Sequence, residues 1–155
     1  MRIAPIATLL SLLLVSSASA QLGTKKVLTL AAARQIIAAA EAKANEEHLR
    51  GVIAVVDDGG WIIMMERMDD PAMTASVELA PAKARSAALF KKPTQALEGM
   101  VNKGRTAAVT AGFTMMQGGL PITVDGQVIG GIGVSFDTPD HDSIIAEAGL
   151  AALNH

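Results

Sequence analysis

The chain has 155 residues, half of them hydrophobic, with 13 Lys and Arg against 15 Asp and Glu and a formal net charge of -2. It contains no Cys, one Trp and three Phe. Thiol chemistry and disulfide staples are therefore excluded, and a chain with no basic stripe and few aromatic rings is a poor match for nucleic acid.

The first twenty residues carry a basic start at Met1-Arg2, an apolar run from Leu9 to Val15 and a small-x-small ending, Ala18-Ser19-Ala20. They read as a secretory signal peptide over 1–20, too short and wrongly flanked for a membrane span. Residues 21–155 then form one mature domain. It is expected to be exported, to a periplasm or outside the cell, with no membrane attachment after cleavage.

Thr29 is placed to cap a helix running to about Glu47, with Leu30, Ala33, Ile36, Ile37, Ala40 and Ala44 at helical spacing and Gly51 as its stop. "VIAVVD", a turn at Asp58-Gly59-Gly60 and "WIIMMERM" read as a hairpin from Val52 to Met68. After an opening turn at Pro71, Thr74 to Phe90 is helical, with Pro81 expected to kink or restart it. Pro93-Thr94 opens a short helix to about Asn102, and Phe113 to Gln117 is a candidate strand. "PITV", Asp125-Gly126 and "QVIGGIGVS" form a second hairpin, the Asp-Gly pair supplying the positive φ angles of a tight turn. Gly130, Gly131 and Gly133 inside a strand need a packing reason: a backbone, a helix or a flat ligand pressed close. Thr138-Pro139 caps a last helix to about Leu153, with Asp140 and Asp142 in its first turn. Hairpins with helices between them imply an antiparallel sheet in an α+β domain.

Several blocks in this order resemble the GlcG/HbpS-like family: "IAVVDDGGWIIMMERMDD", "SVELAPAKARSAALF", "KPT", "GGLPITVDGQVIGGIGVS" and "DHDSIIAEAGLAAL". The resemblance covers about Leu28 to Leu153. It implies a profilin-like fold, a five-stranded antiparallel sheet flanked by helices on both faces. It also implies a homo-oligomer, often an octamer, and in several members non-covalent haem binding. Two departures fall at one junction. Phe136-Asp137 stands where many members carry small residues, and Asp140-His141-Asp142 replaces the usual helix start.

The residues that can carry chemistry are few. His141, near the apolar face of the last helix, is the candidate axial ligand to haem iron, or a metal ligand. His48 is the second candidate, against a plain favourable interaction with a helix C-terminus. Met64-Met65 and Met115-Met116 offer thioethers, but strand alternation lets only one of each pair face a given pocket. Arg67, with Asp69, matches family positions and suits a carboxylate or haem propionate. Glu78 and Lys83 also match, as a buried or interfacial ion pair or as proton-transfer groups. Gly118 and Gly119 permit close approach of a ligand. Covalent haem attachment is excluded by the absence of Cys-x-x-Cys-His. The leading expectation is an exported oligomer binding haem or a comparable small ligand through His141, His48, Arg67, Lys83, Gly118 and Gly119. The alternatives are a small lyase or isomerase using Arg67 with Glu78 or Lys83 on an organic acid, and a ligand-free structural oligomer.

Overall fold

Helix α1, Leu30–Glu46, begins where Thr29 accepts a hydrogen bond from the Ala32 amide at 3.2 Å. Its stripe of Ala33, Ile36, Ile37, Ala40 and Ala44 is buried. The helix is stopped by His48 rather than Gly51. His48 takes a left-handed φ of 57°, its N–H reaches Asn45 O, and the Leu49 N–H reaches Ala44 O at 2.9 Å. That is a Schellman ending with His in the usual glycine place. The computed structural model describes residues 22–153, so the expected signal peptide and His155 lie outside the described residues.

Strands β1, Val52–Asp57, and β2, Ile62–Arg67, form the first hairpin. Its turn is held by Asp57 Oδ1, which accepts the Gly59 and Trp61 amides at 2.9 Å each. Helix α2, Ser76–Phe90, runs through Pro81 without interruption. Helix α3, Thr94–Asn102, and a 3-10 turn, Thr106–Ala111, follow. Strands β3, Gly119–Val124, and β4, Gln127–Ser135, make the second hairpin around Asp125 and Gly126, with φ 48° and 75°. Helix α4, Pro139–Ala151, closes the fold.

The sheet is antiparallel in the order β2-β1-β4-β3. It has four strands where five were expected. The fifth candidate, Phe113 to Gln117, makes no ladder among the described residues. Left-handed glycines bracket it, Gly112 at φ 74° and Gly118 at φ 111°. The Gln117 amide donates to Glu98 Oε2 at 2.7 Å instead of to a neighbouring strand, and Met115 turns into the interior.

The two faces are packed differently. Helices α1 and α4 cover one with Ile36, Ile37, Ile145 and the wholly buried Phe136, against Ile53, Val55, Ile132 and Val134. Helix α2 covers the other with Ala80, Ala84 and Ala88 against Val52, Ala54 and Val56. On that face the glycines find their purpose. A Cβ on Gly133 would overlap the Ala80 carbonyl, and one on Gly131 the Ala84 carbonyl. An alanine-rich helix lies flat on a glycine-bearing strand, so the space is filled by backbone.

Candidate functional site

The β4–α4 junction collects most of the chemistry. Phe136 anchors it in the core. Thr138 caps α4 by accepting the His141 amide at 3.3 Å. From the first turn Asp142 reaches back: its Oδ1 accepts the Phe136 N–H at 2.6 Å, and its Oδ2 meets Lys83 Nζ at 2.6 Å. Lys83 Nζ also donates to the Val134 carbonyl at 3.1 Å. Both side chains are about 95% removed from solvent. Burial pushes the Asp142 carboxyl up, against the opposing pull of Lys83 and the Phe136 amide. This pair ties α2, on one face of the sheet, to α4, on the other. It passes at Gly118, where a Cβ would lie 2.7 Å from Asp142 Cβ and 2.8 Å from Val134 O. Gly119 is equally confined, its missing Cβ 2.5 Å from the Lys83 carbonyl.

The partner of Lys83 is thus Asp142, which sequence reasoning had placed only as a helix-dipole residue. The signal was the position of Lys83 itself. It lies on the buried alanine stripe of α2, where a cation needs a carboxylate from another element. Glu78, one turn earlier, is exposed.

His141 lies beside this pair on the outer surface. Its Nδ1 meets Asp137 Oδ1 at 2.8 Å, and both side chains are 40% exposed. The hydrogen bond to Asp137 raises the imidazole above its ordinary value, with Glu47 and Asp140 adding to it. For Asp137, burial acts upward, but the His141 bond and backbone amides outweigh it and the carboxyl is lowered. With Nδ1 held by the carboxylate, Nε2 is the nitrogen left for a ligand, the arrangement that orients histidine toward metals. The end of α1 is close by. Glu47, lowered first by Lys43, also feels the charges of His141 and His48.

Arg67 stands at the same end of the sheet. Val52 pairs with Arg67 on one side and Ser135 on the other, so Arg67 and the start of the junction are about 10 Å apart across two strand spacings. Arg67 and Asp69 line a shallow hollow of about 350 Å³ with Arg50, Glu41 and Glu66. There burial, and then Glu41, raises the Glu66 carboxyl. Gly118 and Gly119 form the floor of a polar hollow of about 410 Å³ beside Gln117, Asp140 and Ser143. Arg67, Glu78 and Lys83 line no common cavity among those described. Met64 packs on the core and Met115 is buried, while Met65 and Met116 point outward. Among the described residues no group of three or more His, Asp or Glu is placed to hold a bare metal ion. No helix among them is long and apolar enough to cross a membrane.

Comparison with known proteins agrees with this architecture. The family model described as haem degrading protein HbpS-like matches residues 28–151. The protein GlcG of Escherichia coli K12 is 47% identical over 113 residues, 72% of this chain and 84% of that protein. A double mutant of Streptomyces reticuli HbpS superposes with a TM-score of 0.81 at 31% identity, covering 91% of this chain and 97% of that one. A PduOC:haem complex gives 0.76 at 30% identity, covering 83% and 96%. With the matched model spanning the whole of the described sheet and all four α-helices, the chain belongs to the HbpS-like family.

Proposed function

We propose that this protein binds haem non-covalently, as an exported homo-oligomer, with His141 as an axial ligand to iron. The reading is supported by the likeness to a haem complex at 30% identity, and above all by the Asp137–His141 pair. The donor set suits the group. A carboxylate fixes the imidazole tautomer and makes Nε2 the more basic nitrogen. Arg67, in register with Val52 on the α2 side of the sheet and set among Glu41, Glu66 and Asp69, is not brought to His141 and gives this reading no support. Haem would supply an iron with an open coordination position. The chain would supply the orienting carboxylate of Asp137 and the imidazole of His141. Lys83 is committed to Asp142 and acts by holding the junction on which His141 stands. His48 lies near Glu47 and is the secondary candidate for iron. Gly118 and Gly119 serve this reading by admitting Asp142 and the Lys83 backbone, which set the junction.

Assembly is supported by the outer sheet edge. Trp61, Ile62 and Met65 are 70%, 56% and 42% exposed. An edge strand with uncovered apolar residues is a surface that another copy could cover. The lyase or isomerase alternative needs Arg67, Glu78 and Lys83 in one cleft, and their separate placement gives it no support. Export is supported by the character of residues 1–20 and is checked by N-terminal sequencing of protein recovered outside the cytoplasm, which should begin at Gln21.

The test of binding is a haemin titration of the mature protein followed in the Soret region. A saturable shift at micromolar haemin is expected. A spectrum identical to free haemin at every ratio removes the haem reading.

A further inference from the structure

A second cavity lies away from His141, at the C-terminal end of α2. We propose that it binds a slim amphipathic anion, an apolar chain or ring bearing a single carboxylate. The hollow has a volume of about 350 Å³. Its walls are Phe90 of α2, Leu97 and Met100 of α3, and Met115 of the segment that does not become a strand. Phe113 packs edge-on against Phe90, centroids 5.1 Å apart, and fixes the back wall. Leu97 and Met115 are buried, yet they face this space. Water there would find few partners, because a stable buried water needs polar groups that thioethers, methyls and a phenyl ring do not offer. An apolar body displaces such water favourably.

The same hollow has a charged rim of one sign. Lys92 and Arg105 line it, and no acidic residue does. Among the described residues neither cation has a carboxylate within ion-pair distance. Glu98, the acidic residue of α3, accepts the Gln117 amide. Lys92 is carried to the rim by Lys91, which ends α2 in the left-handed conformation at φ 54°. An adjoining hollow shares Met100 and Arg105 and adds Lys103, so the positive mouth continues outward. An apolar interior with an unpaired cationic rim selects a ligand with a hydrocarbon body and an anionic head. The volume is at the small end of ligand pockets, which run from about 300 to 1,000 Å³. It therefore suits a slim chain or single ring rather than a whole porphyrin.

The experiment is calorimetric titration of the mature protein with decanoate, decanol and decyltrimethylammonium. Decanoate should bind saturably at one per chain, decanol more weakly and the cation not at all. The double variant Lys92→Gln, Arg105→Gln should weaken decanoate about tenfold, as expected for losing charge-assisted hydrogen bonds. Ala108→Trp, which fills the hollow from the 3-10 turn, should abolish binding and leave the haemin titration unchanged. Both rim residues are exposed, so the Gln pair keeps the test intact even if the Trp variant folds poorly. No binding of decanoate, equal binding of decanoate and decanol, or full affinity in the rim variant overturns the proposal. Displacement of decanoate by haemin overturns it as a separate site.

Discussion

At residue scale the Asp137–His141 and Lys83–Asp142 pairs make opposite demands on pH and on mutation. His141 is raised above 6.5, so its contribution to stability is full below 6.5 and is lost as pH rises through its folded value. Asp137 is lowered below 3.8, so its contribution is present above 3.8 and is lost as pH falls through its folded value. The loss of melting temperature in His141→Asn should therefore be largest between pH 3.8 and 6.5 and fade on the alkaline side. Haem affinity should run the other way. Coordination needs the Nε2 lone pair, so binding should weaken as acid protonates the imidazole. The buried pair is a matter of folding. Asp142→Ala leaves Lys83 as an uncompensated interior cation and should cost about 3–5 kcal/mol in urea unfolding, while Lys83→Met with Asp142→Leu should recover most of it. His141 was visible in the sequence because it departs from the family at a helix start. Its tether to Asp137 was not, because strand-end geometry decides whether residues four apart meet. Asp142 was hidden for the same reason: its partner lies 59 positions away on the other face of the sheet.

At element scale the most legible feature was punctuation. Thr29, Thr138-Pro139 and Asp125-Gly126 mark helix starts and a hairpin by local hydrogen bonding and positive φ, and each acts where it was placed. What failed was a segment decided by tertiary competition. Phe113 to Gln117 has strand-like composition, yet Glu98 captures the Gln117 amide and two left-handed glycines break the extension. Pro81 was expected to kink or restart α2, and it does not restart it. Ser76–Phe90 is one helix, held against β4 where Gly131 and Gly133 admit its backbone, so packing sustains it past the hydrogen bond that Pro81 cannot donate. The glycine-bearing ribbon needed a close neighbour, and that neighbour is α2. Gly133→Ala should force the helix off the sheet and destabilise the protein by about 1–3 kcal/mol, measurable by chemical denaturation with Gly126→Ala as a turn-only comparison.

At the scale of the whole molecule, the sheet is unevenly covered. Helix α2 lies over β4, β3 and β1 and barely reaches β2. Ile62 and Met65, in register with Val56 and Ala54, are left facing solvent on that side. If copies meet there, Ile62→Lys with Met65→Lys should lower the assembly mass in native mass spectrometry without changing the helical signal in circular dichroism. Membership of the HbpS-like family explains the sheet and its helices, whereas the proposed ligand chemistry rests on the Asp137–His141 pair at one end of it. The most direct measurement is the Soret spectrum of the haemin-loaded mature protein beside that of His141→Ala, both folded and at equal haemin. A shifted, saturable band is expected in the first and loss or displacement of that band in the second. Superimposable spectra would contradict the assignment of His141 as the iron ligand.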